Sequence, residues 1–201
     1  GAAAFGALVH YVLVVTAIGT IIMLSAYPVA MFGARFNLFD FARAAIPAQS
    51  VAISTQSSLA SLPAMVQGAK QLGVGARSTD IVLPMAVAIF RATSPAMNLA
   101  VAIYVAHWMG IELGPEQIVI GVAVASITTL GSVSLPGSIS FIAAIAPICI
   151  AMGIPIEPLA VLVAIETFPD IMRTLGNVTM DIAVTGTIAR AEGDLEKGEA
   201  A

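Results

Sequence analysis

Long apolar runs alternate with short polar punctuation along this chain, and the run lengths predict its elements. Residues 4–33 hold no acid, lysine or arginine and are long enough to cross a bilayer as a helix. Gly33 is the expected C-cap, and Arg35 and Asn37 mark the exit into water. From 38 an amphipathic stretch leads to a serine-rich tip, STQSSLASLP (Ser54 to Pro63), and a shorter apolar arm returns to Lys70 and Arg77, predicting a hairpin over 38–75. Residues 80–110 form another apolar span, interrupted by FRATSPAMN, where Pro95 and the hydroxyl residues around it unwind a helix. An arm from 115, a second tip TTLGSVSLPG (Thr128 to Gly137) and a return arm to Met152 predict a second hairpin over 115–152. Gly153-Ile154-Pro155 breaks that run, and a long polar-striped helix is predicted over 157–190. The membrane core therefore covers 1–190, and the polar tail 191–201 is expected to be disordered.

The two tips resemble each other: SSLASLPA in one and GSVSLPGS in the other, each serine-rich and closed by Leu-Pro. Their arms, at roughly 12–18 residues, are short for full crossings and suit re-entrant hairpins, although two ordinary kinked helices are the alternative. Paired interrupted segments in corresponding positions point to a transporter core built from inverted repeats. Charge placement favours re-entry. With both tips folded back, Arg35, Arg43, Lys70, Arg77, Arg190 and Lys197 share one side, while Glu112, Glu116 and Glu157 lie on the other. By the positive-inside rule the basic side, with the C-terminal tail, is cytoplasmic, and the protein belongs in the inner (plasma) membrane. The predicted class is thus an all-α integral membrane protein with transmembrane helices, two re-entrant helical hairpins and a broken helix.

Composition agrees. The chain is 59% hydrophobic and 10% charged, against about a quarter charged in soluble domains. No basic face exists for nucleic acid, and a net charge of −4 adds little because acids and bases are segregated by position. The lone Cys149 lies in an apolar run and reads as a buried bystander, with no disulfide or cysteine metal site available. His10 reads as an interfacial or packing residue, and His107 with Trp108 as an interface anchor. The chain opens with GAAAFG and no basic n-region, so no signal peptide is expected and an excerpt of a longer protein is.

The chemistry concentrates near the C-terminus, in IETFPDIMRTLGNVTMD. Glu166, Asp170, Arg173, Thr174, Asn177 and Asp181 follow the i, i+4, i+7, i+8, i+11, i+15 pattern, which is one stripe of a helix. Charges at membrane depth cost on the order of 2.5–3.5 kcal/mol each and mark ion or solute paths. Glu166, a turn nearer the outer boundary, is the member expected to face water. An intramembrane hydrolase is excluded: Asp170 and Asp181 stand roughly 16 Å apart along the helix, too far for an aspartyl dyad, and no G-x-S-x-G elbow occurs. A passive anion or solute channel is the surviving alternative, since polar hairpins also line pores. A compact site with both charge signs instead favours a carrier for a zwitterionic or anionic solute.

In its order of span, serine-rich hairpin, broken helix, second hairpin and polar helix, the chain resembles the transport core of the dicarboxylate/amino acid:cation symporters, the glutamate and aspartate transporter family. DIMRTLGNVTMD resembles the family pattern D-x-x-R-T-x-x-N-V-x-x-D, and STQSSLASLP is similar to its serine-rich hairpin, with Leu59 where a third serine is common. The resemblance implies symport of an acidic amino acid or C4-dicarboxylate by alternating access, with sodium, or protons, as the coupling cation. It implies no other cofactor, a homotrimer, and further N-terminal scaffold helices. By position Arg173 would bind the side-chain carboxylate of the solute, Asp170 its amino group, and Thr174 and Asn177 its amino-acid backbone. Ser57, Ser58, Ser94 and the second tip at Pro136 and Gly137 would complete the solute site, and Asp181 with Asn177 a sodium site. Two departures stand out. The second tip is longer than the family's S-I-G-T-A-G-V-P-G. The family's N-M-D-G-T in the broken helix is here Phe90, Arg91, Ala92, Thr93 and Ser94: an acid is lost and a permanent cation gained. Arg91 is therefore expected to act as a tethered cation, with Glu166, Asp170 or Asp181 as its counter-charge.

Overall fold

Helix is the only regular structure among the described residues, apart from an isolated bridge between Val74 and Leu195. The computed structural model describes residues 2–131 and 138–196. The second predicted tip from Ser132 onward, including Pro136 and Gly137, and Lys197 of the tail lie outside the described residues. In chain order the helices are α1 (Ala2–Pro28), α2 (Leu38–Thr55), α3 (Ser58–Gln71), α4 (Leu83–Ile89), α5 (Ser94–Trp108), α6 (Pro115–Gly131), α7 (Ser138–Ala151), α8 (Leu159–Leu162) and α9 (Thr167–Ala191). Two stretches, Phe5–Ala34 and Ser78–Trp108, are long and apolar enough to cross a membrane. The chain forms two compact units. One takes α1 as far as Thr20 together with Thr93–Arg173; the other takes Ile21–Ala92 with the residues from Thr174 onward.

In the first unit α5, α6 and α7 pack on one another around Tyr11, Met97, Val101, Ile145 and Ile148, all fully buried. Cys149 is buried in the same core as a free thiol. Outward positions are as apolar as the core: Phe5, Leu13, Val119 and Ile127 are each more than 60% exposed. Contiguous apolar surface of this kind suits lipid or partner helices, not water. The long helix predicted over 157–190 is instead divided into α8, a 3-10 turn at Val163–Ile165, and α9. Pro169 supplies the reason. It has no N–H to give the Ile165 carbonyl and its ring crowds that group, which favours a helix start around Pro169 over an unbroken run.

In the second unit the serine-rich hairpin is α2 laid against α3. Gln56 closes α2 in the left-handed region at φ 51, and Ser57 opens α3, its Oγ accepting from the Ala60 N–H at 3.2 Å. The turn is thus only two residues long, and Pro63 falls inside α3. Gly68 lets the arms touch: a Cβ there would collide with the Ala44 carbonyl oxygen of α2. Gly33 has a similar use and is not the expected C-cap. α1 passes Pro28 into a π-helical turn, Val29–Ala34, which ends at Arg35, left-handed at φ 58 with its N–H on the Ala30 carbonyl. A Cβ on Gly33 would lie 2.5 Å from Thr187 Oγ1, so the bare glycine is what admits α9.

The tail was expected to be disordered; its described part is tied down instead. The Gly75 N–H donates to the Asp194 carbonyl at 2.7 Å, the Ser78 N–H to Asp194 Oδ2 at 2.7 Å, and the Glu196 N–H to the Gly73 carbonyl at 2.7 Å. Polar composition signals water exposure, but it cannot reveal such tertiary partners. Hydrogen bonds from the Ser78 hydroxyl and N–H hold the Asp194 carboxyl below its usual range. A depressed folded value means that this contact stabilises fully above the unfolded value of about 4 and fades as pH falls through the lower folded one. Asp194→Ala should therefore speed amide exchange at Gly75 and Ser78 at pH 7, while the parent protein shows no change in their protection factors between pH 5 and 8. Equal protection in both proteins would remove the clamp.

Candidate functional site

Arg173 is the centre of an ionic network inside the first unit. Its Nη1 donates to Asp170 Oδ1 and its Nη2 to Glu166 Oε1, each at 2.7 Å. Glu166 Oε2 in turn accepts from the Tyr11 hydroxyl at 2.6 Å. The break before Pro169 makes this possible: Glu166 sits in the turn between the 3-10 segment and α9, from which its side chain reaches a guanidinium seven residues on. Asp170, in the first turn of α9, also complements the positive end of the helix dipole. The two carboxylates are not equivalent. The Glu166 side chain is 9% exposed and doubly bonded, while that of Asp170 is 27% exposed. Glu166 is thus the more deeply buried holder of the guanidinium and Asp170 the more exposed one.

Glu166 therefore does not face water as the stripe suggested; it is buried. Tyr11 was missed altogether. Its signal was available, because a phenol inside an apolar span must find a hydrogen-bond partner, but its sequence distance from Glu166 hid which one. Thr93, in the broken segment, donates from Oγ1 to the Arg173 carbonyl at 2.8 Å and so ties that break to α9 within this unit. Next to it Ser94 opens α5, with Pro95 at its first turn; the Ser94 hydroxyl is buried and makes no hydrogen bond among the described residues. A buried hydroxyl in that state is a ready ligand for a polar solute.

In the second unit Thr174, Asn177 and Asp181 are buried at i, i+3 and i+7 of α9. Asp181 is 1% exposed, and neither of its carboxylate oxygens accepts a hydrogen bond among the described residues. A carboxylate so placed is strongly unfavourable unless a cation or proton accompanies it. Arg91 is half-buried in the segment that follows α4 and belongs to the same unit as Asp181. No three His, Cys, Asp or Glu side chains converge as a metal cluster among the described residues. A hard cation at Asp181 would therefore take its other ligands from amide and carbonyl oxygens, of which Asn177 is the nearest along the helix. On the hairpin, Ser58 is buried and Ser57 caps α3. Because Ser57 engages Ala60, the first N–H groups of α3, at Ser58 and Leu59, remain for a ligand at the tip. Further along α9, Gln49 of α2 donates to Thr179 Oγ1 at 3.0 Å.

His10 Nδ1 lies 3.1 Å from the Tyr104 hydroxyl, which donates to the Ala7 carbonyl at 2.7 Å. These contacts are packing within the first unit, and the Tyr104 ring also meets Tyr11 edge-on with centroids 5.2 Å apart.

The pattern of the Sodium:dicarboxylate symporter family matches residues 1–191. Excitatory amino acid transporter 2 of Homo sapiens is 30% identical over 155 residues, 77% of this chain and 27% of that protein. C4-dicarboxylate transport protein 2 of Ralstonia nicotianae is 28% identical over 190 residues, 94% of this chain and 40% of that protein. The Proton/glutamate-aspartate symporter of Escherichia coli is 29% identical over 150 residues, 75% of this chain and 34% of that protein. The chain thus spans between about a quarter and two fifths of the length of these relatives.

Proposed function

Because the chain belongs to the sodium:dicarboxylate symporter family, we propose that it is the transport core of a carrier moving an acidic amino acid, or a C4-dicarboxylate, together with a coupling cation. The observation that carries the reading is the Arg173 fork, held by one buried and one more exposed carboxylate. In the solute-free state Asp170 occupies Nη1. A solute bearing both a carboxylate and an ammonium lets the two exchange partners: its carboxylate takes Nη1 and its ammonium takes Asp170. Glu166 and Tyr11 keep the guanidinium aimed throughout. A plain dicarboxylate has nothing to offer the displaced Asp170, so aspartate or glutamate is the first choice of solute.

Thr174 and Asn177 then hold the backbone of the solute, with Ser94 and the N–H groups near Ser58 as further contacts. Pro136 and Gly137 belong to the second tip, which would cover the solute from outside. Asp181 with Asn177 takes the coupling cation; sodium is first in view of the family, and a proton is the alternative, since protonation would also neutralise the carboxylate. The lengths of α2 and α3, 18 and 14 residues, correspond to about 27 and 21 Å at 1.5 Å per residue. Both fall short of the roughly 30 Å hydrocarbon core, which supports re-entrant hairpins in an inverted-repeat core. The same reading places the 1–190 core against scaffold helices outside this chain in a homotrimer in the inner (plasma) membrane, with the tail 191–201 cytoplasmic. The whole core would move by alternating access.

The test is uptake by the intact protein in proteoliposomes, comparing acidic amino acids with C4-dicarboxylates under imposed sodium and proton gradients. Saturable, concentrative uptake with counterflow is expected, strongest for aspartate or glutamate. Ohmic current without accumulation would replace the carrier by a channel.

A further inference from the structure

The two oxygens of the buried Glu166 side chain have different partners, both within the first unit. Oε1 accepts from Arg173 Nη2 at 2.7 Å and Oε2 from the Tyr11 hydroxyl at 2.6 Å. Tyr11 is fully buried on α1, and behind it the Tyr104 hydroxyl of α5 is turned to the Ala7 carbonyl and to His10 Nδ1. From α9 the acid is faced by Arg173 and, through that guanidinium, by Asp170. Packed on the 3-10 turn that precedes Glu166, α7 carries Cys149 as its one titratable residue.

Two carboxylates share one guanidinium, so the solute-free cluster has a negative charge in excess. An acidic amino acid brings another, and like charges repel strongly where little water reaches. A proton from the surrounding water restores the balance, and Glu166 has the partners to receive it. An ionised carboxyl only accepts hydrogen bonds, the acid also donates one, and a phenol does both. Tyr11 therefore donates to Oε2 while Glu166 is charged and accepts from it once that oxygen is protonated. Oε1 accepts from Nη2 in either state, so the fork keeps its aim while its charge is released to the solute carboxylate. Asp170, the more exposed acid, stays ionised to meet the solute ammonium.

We propose that Glu166, paired with Tyr11, is a proton-binding site that takes up one proton with each acidic solute. The proton enters from the water on the side where the solute enters and leaves with it on the other. Asp181 keeps its own cation, so the proton is a second coupled ion, and a pH gradient alone moves no solute while Asp181 needs sodium. This inference rests on the reading of Arg173 as the group that binds the solute carboxylate.

The experiment adds aspartate to the intact protein in weakly buffered detergent solution with saturating sodium. A pH-indicator dye reads proton uptake, and calorimetry reads affinity at a series of pH values. The parent should take up about one proton per aspartate bound, with affinity falling about tenfold per pH unit on the alkaline side, as reciprocal linkage of one proton requires. Glu166→Gln, which imitates the protonated acid, should bind aspartate with no proton uptake and with affinity independent of pH. Tyr11→Phe loses the stronger, charge-assisted bond to the ionised form and should move the fall in affinity to higher pH. Aspartate binding to the parent without proton uptake, uptake that survives Glu166→Gln, or a pH profile unmoved in Tyr11→Phe would overturn the proton site and leave the solute reading standing. A parent that binds no acidic solute would overturn both.

Discussion

Arg173→Ala should lower affinity for acidic solutes by at least about 30-fold, with any residual uptake shifting toward small neutral solutes. Truncating one partner of a buried, hydrogen-bonded charge pair costs about 2–5 kcal/mol, and each 1.4 kcal/mol is tenfold. The fork also bonds both Glu166 and Asp170 in the solute-free protein, so its removal leaves two carboxylates without their shared cation. Breaking a buried pair this way costs about 3–5 kcal/mol. Loss of uptake through misfolding must therefore be separated from loss of binding. The double variant Arg173→Ala with Glu166→Gln removes the charge that Arg173 compensates and should recover stability without recovering acidic-solute uptake. Arg173→Lys keeps the charge but not the fork and should bind acidic solutes weakly. Competition by aspartate, glutamate and alanine against labelled solute checks all three, and aspartate competing within threefold of the parent in Arg173→Ala would overturn the assignment.

Why the stripe on α9 was legible while its network was not follows from what each depends on. Charge at helical spacing inside an apolar run is a local property, and the penalty for burying it makes the pattern informative without any neighbour in view. The pairing of Tyr11 with Glu166 joins residues 155 positions apart, and no local pattern encodes that separation. Glu166 illustrates a nearer miss. The stripe was drawn as if the helix were continuous from 157, but Pro169 stops it, and the resulting turn swings Glu166 inward onto Arg173.

Similar reasoning separates the rest of the fold. The break at 90–93 and the two-residue turn at Gln56 and Ser57 follow from Pro95 and from serine capping, both local effects. The role of Gly33 depends on how close Thr187 comes, and the ordering of the tail depends on Asp194 meeting Ser78. A glycine reads the same in sequence whether it serves a cap or a crossing. Only its φ and its neighbours tell the two apart.

Asp181→Asn should uncouple the carrier: concentrative uptake driven by a cation gradient is lost, while exchange of labelled for unlabelled solute continues. Asparagine keeps the shape of the carboxylic acid and removes the charge, so it imitates Asp181 with its proton permanently bound. Burial to 1% with no hydrogen-bond donor on either oxygen among the described residues means the side chain makes no such bond there that an amide would forfeit. Thermal stability without added sodium should therefore be preserved or raised, because an uncompensated buried charge is destabilising in itself. The parent protein discriminates the two coupling ions: a sodium gradient at equal pH drives accumulation if sodium occupies Asp181, and a pH gradient without sodium does so if a proton does. Full gradient-driven accumulation in Asp181→Asn would remove this carboxylate from coupling and return the cation to backbone and hydroxyl oxygens elsewhere.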